Sequence, residues 1–183
     1  TETLVDWALD VLSNTPSPQV ADLGTGSGAI ALALQHQRPD ARVLAVDASA
    51  DALAVAHANA QRLNLPVCFA LGSWLSPLAN HSSPERWHLI VSNPPYIEDH
   101  DAHLAMLTHE PLQALASGPD GLEDIKKIVQ NAQNHLEAGG WLLLEHGWKQ
   151  ATAVRSLLKQ AGFKQVQSKL DLAGIERCSG GQK

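Results

Sequence analysis

The sequence predicts an α/β fold built on a mostly parallel sheet, on three observations. Apolar runs and helical patterns alternate along the chain, a glycine-rich loop joins the first such pair, and an acid ends the second run. Leu4 to Leu12 carries apolar residues at helical spacing and stops before the Pro16–Pro18 segment, because proline removes an amide that a helix needs. Val20-Ala21-Asp22-Leu23 reads as the first strand, and Ala29 to Gln37, rich in Ala and Leu, as the helix packed on it. Arg42 to Val46 is a second strand ending at Asp47, and Ala50 to Leu63 a second sheet-covering helix with Asn64 at its end. Val67 to Leu71 makes a short third strand. After a polar loop at Asn80 to Glu85, the apolar run Trp87 to Val91 suits a buried fourth strand.

Asn93-Pro94-Pro95-Tyr96 cannot continue that strand, since two prolines forbid both a helix and a central strand. The stretch from Ile97 to Asp120 is long and irregular, and at that length inside a compact domain it is expected to carry function, as a lid or an acceptor-binding loop. Gly121 to Leu136 is predicted helical, Gly139-Gly140 a turn, and Trp141 to Leu144 a fifth strand. Ala151 to Ala161 forms a further helix closed by Gly162, and the tail from Lys164 onward supplies two final strands.

With 183 residues the chain holds one well-buried core, and residues 1–183 are expected to form a single domain. Hydrophobic residues at 44% and charged residues at 17% fit a folded globular protein and exclude disorder. No run reaches the roughly 18 apolar residues of a membrane span, and the start lacks a signal-peptide layout, so no membrane contact and a cytoplasmic location are expected. Two isolated cysteines, Cys68 and Cys178, are too few for a disulfide framework or metal cluster. A formal charge of -6 with scattered basic residues disfavours phosphate-backbone binding, so a protein or small-molecule partner is expected and no direct nucleic acid.

Asp22-Leu23-Gly24-Thr25-Gly26-Ser27-Gly28 lies between a strand and a helix, where small residues let a nucleotide-like ligand approach the backbone and the helix start. A tight strand-to-helix turn is the plainer reading of a glycine string. Asp47 ends the next strand, where a carboxylate can accept both hydroxyls of a ribose; it could equally cap the helix beginning near Ser49. The third glycine comes one residue earlier than the spacing that cradles a pyrophosphate, and Asp22 suits a ligand with a cationic amino-acid tail. Trp74, just after the third strand, can cover an adenine face or serve as a rim aromatic.

Asn93-Pro94-Pro95-Tyr96 offers a carboxamide oxygen, carbonyls of fixed direction and an aromatic face, which together can hold a planar NH2 group. Such a nitrogen is a poor nucleophile because its lone pair is delocalised. Acceptors on both N–H groups favour its pyramidalisation during attack and so stabilise the transition state. Asn93 Oδ1 is assigned to one N–H, the Pro94 carbonyl to the other, and Tyr96 to the planar face, with Pro95 completing the rigid turn.

The ordered set of Asp22–Ala33, Ala45-Val46-Asp47, Val91–Ile97, Glu110-Pro111-Leu112 and Leu143-Leu144-Glu145-His146-Gly147 resembles the HemK/PrmC release-factor glutamine methyltransferases over almost the whole chain. The resemblance implies a Rossmann-like class I S-adenosylmethionine-dependent methyltransferase fold: a seven-stranded, mostly parallel sheet whose last strand is antiparallel. It implies methylation of N5 of the glutamine in the Gly-Gly-Gln motif of class 1 peptide chain release factors, with S-adenosyl-L-homocysteine as coproduct. By the same likeness Asp22, Gly24, Thr25, Gly26, Ser27, Gly28, Asp47, Trp74 and Asn93 hold the cofactor, and Asn93, Pro94, Pro95 and Tyr96 hold the glutamine amide. The family's small helical N-terminal domain has no counterpart in these residues, and a monomer is expected. The chain carries Ser73 where the family often has an acid before the tryptophan, and His109 in place of an expected basic residue.

A nucleic-acid amino methyltransferase, acting on adenine N6 or guanine N2, is the main alternative, because those groups present a similar conjugated NH2. Among nine histidines, His100 and His103 with Asp99 and Asp101 form the best candidate metal cluster, but a third well-placed ligand is lacking and no metal is expected. His146 reads as a structural or rim residue. Gly180-Gly181-Gln182 spells the acceptor tripeptide, which chance explains in a glycine-rich tail.

Overall fold

The computed structural model describes residues 1–79, 86–99 and 116–183. A seven-stranded sheet in the order β3-β2-β1-β4-β5-β7-β6 forms its middle layer. The elements run α1 (Glu2–Leu12), β1 (Gln19–Leu23), α2 (Ala29–Gln37), β2 (Arg42–Asp47), α3 (Ala50–Leu63), β3 (Cys68–Leu71), α4 (Ser76–Ala79), β4 (Trp87–Ser92), α5 (Glu123–Ala132), β5 (Leu136–Glu145), α6 (Ala151–Gln160), β6 (Lys164–Leu170) and β7 (Glu176–Gln182). β1 pairs parallel with β2 and β4, β2 with β3, and β4 with β5, while β7 is antiparallel to both β5 and β6. The expected sheet, with its antiparallel last strand, is therefore present, and the strand order reverses direction between β1 and β4.

The central strands are predominantly apolar because both faces are covered. One layer packs α1 and α2 on Val20, Val43, Leu89, Val91 and Leu143, with α3 alongside, where Ala56 meets the space in front of Gly28. The opposite layer packs α5 and α6 on Leu23, Ile90, Leu142 and Leu144. In α5 the buried residues are Ile125, Ile128, Val129 and Ala132, one stripe at helical spacing on an otherwise polar segment. Each fully buried Leu or Ile contributes roughly 1.5–3 kcal/mol.

Two expectations are corrected here. The helix predicted over 121–136 spans Glu123–Ala132: Gly121 has φ +65°, which no helical residue adopts, and Leu136 instead starts β5 opposite Trp87. Gly139-Gly140 is not a turn but lies inside β5. Leu136 faces Trp87 yet Trp141 faces Leu89, so three extra residues bulge from β5, and Gly139 at φ +81° makes that bulge possible. The short helix α4 was not expected. The Asn80–Glu85 loop and most of the Ile97–Asp120 stretch lie outside the described residues.

The Gly180-Gly181-Gln182 tail has a packing explanation. β7 is threaded between β5 and β6, and a Cβ on Gly180 would lie 2.5 Å from Leu143 Cδ2 and 2.9 Å from the Trp7 ring; one on Gly181 would lie 2.8 Å from Phe163 Cβ. Gln182 donates to the Gly139 carbonyl at 2.8 Å and accepts from Gln165 at 2.6 Å, so its amide is committed within the sheet. Gly180→Ala is expected to destabilise the chain by about 1–3 kcal/mol through overpacking. Urea unfolding checks this, and an unchanged midpoint would refute the packing account.

Candidate active site

Sheet register brings the sequence-predicted segments to one edge. Leu23 faces Val46 on one side and Ser92 on the other, so Gly24, Asp47 and Asn93 leave the sheet at the same level. Adjacent strands are about 4.8 Å apart, which confines the three exits to one short stretch of the carboxyl edge, at the point where the strand order reverses. Ser92 locks two of them together, its hydroxyl donating to the Leu23 carbonyl at 2.6 Å.

The glycine loop is held by the two acids. Asp22 is fully buried; its Oδ2 accepts from the Thr25 hydroxyl at 2.6 Å and from the Ala31 amide of α2 at 3.2 Å. Its Oδ1 has no hydrogen-bond partner among the described residues. Burial, with a smaller contribution from the nearby Asp47 charge, pushes the Asp22 carboxyl up to about 6 against the pull of those two donors. Asp47 Oδ2 accepts from the Gly26 amide and Oδ1 from the Ser49 amide, both at 2.9 Å. Ser49 itself caps α3, its hydroxyl accepting from Ala52. Asp47 is therefore not the cap of α3, a role that Ser49 takes; it holds the Ser49 amide instead, and each of its oxygens keeps lone pairs for a further donor.

Gly24, Gly26 and Gly28 all have positive φ, at +68°, +56° and +86°. Gly26 faces open space, whereas a Cβ on Gly24 would come within 3.1 Å of the Trp74 ring. The Thr25 side chain is buried and committed to Asp22, so this residue offers the edge only its backbone; Ser27 is exposed, with its carbonyl accepting from Asn59 at 3.0 Å. Trp74 sits at φ +47° with its ring over Gly24 and its Nε1–H donated to Asp124 Oδ1 at 3.2 Å. Asp124 is in turn gripped by the Ser117 hydroxyl at 2.9 Å and by Lys127 at 2.9 Å. One recess of about 310 Å³ is lined by Ser73–Ser76 with Lys127, Asn131 and His135, and another of about 480 Å³ by residues of α2 and α3.

Beyond β4, Asn93 is half-buried and its Nδ2 donates to Thr1 Oγ1 at 3.4 Å; Pro94 is buried, and Pro95 and Tyr96 are half-buried. The Tyr96 hydroxyl accepts from Arg177 Nη2 at 3.0 Å, and the guanidinium lies 5.5 Å from the ring centre, a cation–π distance. The Tyr96 carbonyl accepts from Gln150 at 3.1 Å. Ile97 bridges Ala116, and the Ser117 and Asp99 amides donate to the Ile97 and Gly118 carbonyls. His146 is fully buried, its ring nitrogens bonded to the Gly147 carbonyl and the Ser179 hydroxyl, and burial lowers its pKa, as suits a structural residue.

Asp124, Gln150 and Arg177 were not singled out from sequence, because their partners lie 50, 54 and 81 residues away. Only the glycines at 121 and 147 hinted at crowding there. Glu110-Pro111-Leu112, His109 and the His100, Asp101 and His103 cluster lie outside the described residues.

The donor set at this edge fits S-adenosylmethionine. Two carboxylates beside a glycine loop oppose a pyrophosphate and favour a cationic ligand, the unpartnered Asp22 Oδ1 suits an ammonium group, and Asp47 suits a diol.

Residues 5–171 match the methyltransferase small domain. A release factor glutamine methyltransferase of Bordetella pertussis is 51% identical over 183 residues, covering 99% of this chain and 67% of its own length. One of Burkholderia pseudomallei is 49% identical over 190 residues, with 100% and 66% covered, so the chain spans about two thirds of the length of such relatives. The solved release-factor-specific protein-(glutamine-N5) methyltransferase of Alicyclobacillus acidocaldarius superposes with TM-score 0.62 at 29% identity, over 100% of this chain and 90% of that one.

The buried acid gives a pH signature. Between 3.8 and about 6 the native chain holds the Asp22 proton more tightly than the unfolded chain does, so stability falls as pH rises through that window. The loss, on the order of 3 kcal/mol, persists at neutral pH. Asp22→Asn, which keeps the shape and cannot ionise, is expected to gain on wild type in urea unfolding free energy from pH 4 to pH 7. Parallel pH profiles for the two chains would show that folding leaves the Asp22 pKa where it is in the unfolded chain.

Proposed function

We propose, because this chain belongs to the release factor glutamine methyltransferase family, that it transfers a methyl group from S-adenosyl-L-methionine to the side-chain amide N5 of the glutamine in the Gly-Gly-Gln motif of class 1 peptide chain release factors. Residues 1–183 act as the methyltransferase catalytic domain, and the protein works as a monomer in the cytoplasm. Among the described residues, no helix is long and apolar enough to cross a membrane. The observation that carries the reading is the shared register of the three strand exits: Asn93-Pro94-Pro95-Tyr96 opens at the same sheet edge as the glycine loop and its two acids.

When bound, S-adenosylmethionine supplies a methyl group on a positively charged sulfur, which departs as the neutral thioether S-adenosylhomocysteine. The chain's own work is binding and orientation. Gly24 to Gly28 let the ligand approach the backbone, Asp47 accepts from the ribose hydroxyls, Asp22 faces the amino-acid end, and the Trp74 ring borders the adenine side. Asn93 Oδ1 and the Pro94 carbonyl accept the two amide N–H groups, while Pro95 and Tyr96 fix and flank the plane. Loss of amide conjugation then coincides with attack, and the extra proton leaves to solvent after the N–C bond has formed. No strong base is required, in keeping with the enclosed position of His146.

The test is transfer of labelled methyl from adenosylmethionine to a purified class 1 release factor, with a Gln→Ala acceptor variant, bulk RNA and bulk DNA as controls. Label on the wild-type factor alone is expected; label on nucleic acid, or none on the factor, would overturn the reading. Asn93→Ala is expected to lower kcat about 100- to 1,000-fold, as for loss of a transition-state hydrogen-bond partner, with cofactor affinity retained. Asp47→Ala is expected to weaken adenosylmethionine binding about 10- to 100-fold, measured by calorimetry. Normal turnover by Asn93→Ala would remove it from the chemistry.

A further inference from the structure

Gln150, the residue that precedes α6, reaches three separate segments with one side chain. Its Oε1 accepts from the Gly147 amide at 2.8 Å, and its Nε2 donates both to the Tyr96 carbonyl and to the Asp120 carbonyl, each at 3.1 Å. A carboxamide has two N–H groups, and here both are used, on two different stretches of chain. Tyr96 lies where the segment after β4 begins and Asp120 where the chain returns toward α5. Gln150 therefore ties both ends of one long excursion to the end of β5.

We propose that Gln150 is a positioning residue for methyl transfer, fixing the Asn93–Tyr96 backbone through the Tyr96 carbonyl; this rests on the reading of that segment as the glutamine-binding loop. Pro94 and Pro95 have no N–H, so the tetrapeptide offers few donors by which the fold could hold it, and carbonyls must serve as handles. Two glycines clear the space. A Cβ on Gly121, at φ +65°, would run into the Tyr96 carbonyl and lie 2.7 Å from Gln150 Nε2, and one on Gly147 would lie 3.0 Å from Gln150 Oε1. The clamp is anchored from behind. The buried His146 holds the Gly147 carbonyl at 2.9 Å and the Ser179 hydroxyl of β7 at 2.8 Å, so Gly147, Gln150 and Tyr96 are joined in series to the sheet interior. Because the Pro94 carbonyl must meet an N–H at bonding distance, a shift of this backbone by about 1 Å translates into a rate loss on the order of 100-fold.

Gln150→Glu separates this role from mere support of α6. A glutamate keeps the oxygen that accepts from Gly147 but, when ionised, has no donor for Tyr96 or Asp120. At pH 8 it is expected to bind adenosylmethionine within about twofold of wild type yet to lose at least about 10-fold in kcat on the release factor, the equivalent of one lost hydrogen bond to a group that stays buried. As the pH is lowered, protonation of the carboxyl returns one donor, so the ratio of mutant to wild-type kcat rises. Gln150→Leu is read without any substrate: by hydrogen exchange on the free chain, the Asp99 and Ser117 amides, which bridge the two ends, are expected to exchange faster while those of β1 and β4 do not. Wild-type protection at Asp99 and Ser117 in Gln150→Leu, or wild-type kcat for Gln150→Glu at pH 8, would overturn the proposal. If Gln150→Leu exchanges as described but the wild-type chain transfers no methyl, the function would be overturned and the clamp left in place.

Discussion

The candidate site depends on one buried carboxyl. Asp22 is the penultimate residue of β1, a strand covered on both faces, and its Oδ2 gathers the Thr25 hydroxyl and the Ala31 amide, so strand, loop and following helix are set by a single group. Placing a carboxyl where it titrates near 6 opposes folding, and the fold tolerates this because the surrounding sheet supplies a large apolar core. With Asp47 gripping Gly26 from the neighbouring strand, the loop is fixed by side chains at its rear while its front remains backbone. The Thr25, Gly26 and Gly28 amides are spent on the Val46 carbonyl, the Asp47 carboxylate and the Thr25 carbonyl, so the loop is held by its own backbone as well.

The Asn93–Tyr96 segment is constructed differently. There the backbone is stiffened by two prolines and then restrained from outside, by Gln150 on the Tyr96 carbonyl and Arg177 on the Tyr96 hydroxyl. The glycine-loop side is thus organised mainly by contacts within and beside its own motif, and the Asn93–Tyr96 side by contacts that cross the fold. Both meet at a register fixed by β1, β2 and β4.

This division also decides what could be read from the chain alone. α2 and α3 fall where Ala- and Leu-rich spacing put them, and the buried strands β1, β2 and β4 announce themselves as apolar runs. The glycine loop, Asp47 and Asn93-Pro94-Pro95-Tyr96 are contiguous signatures whose order survives folding. Gly139-Gly140 misled because local chemistry favours a turn, whereas pairing of Leu136 with Trp87 keeps the segment in the sheet as a bulge. Leu136 likewise left its helical pattern for a strand partner. Trp74, Gln150 and Arg177 act through residues 50 or more positions away, and no local pattern encodes such partners.

The placement of β7 has a consequence for how the molecule is made. The strand latest in sequence does not lie at an edge but between β5 and β6, antiparallel to each. During synthesis from the N-terminus, β5 must therefore wait with one flank of backbone groups unpaired, and β6 cannot join the sheet, until Glu176–Gln182 has emerged. The two glycines that slip this strand past Leu143 and Phe163 close the sheet as a keystone closes an arch: the β1–β4 half can assemble early, but the Arg177 contact to Tyr96 forms only when the closing strand arrives.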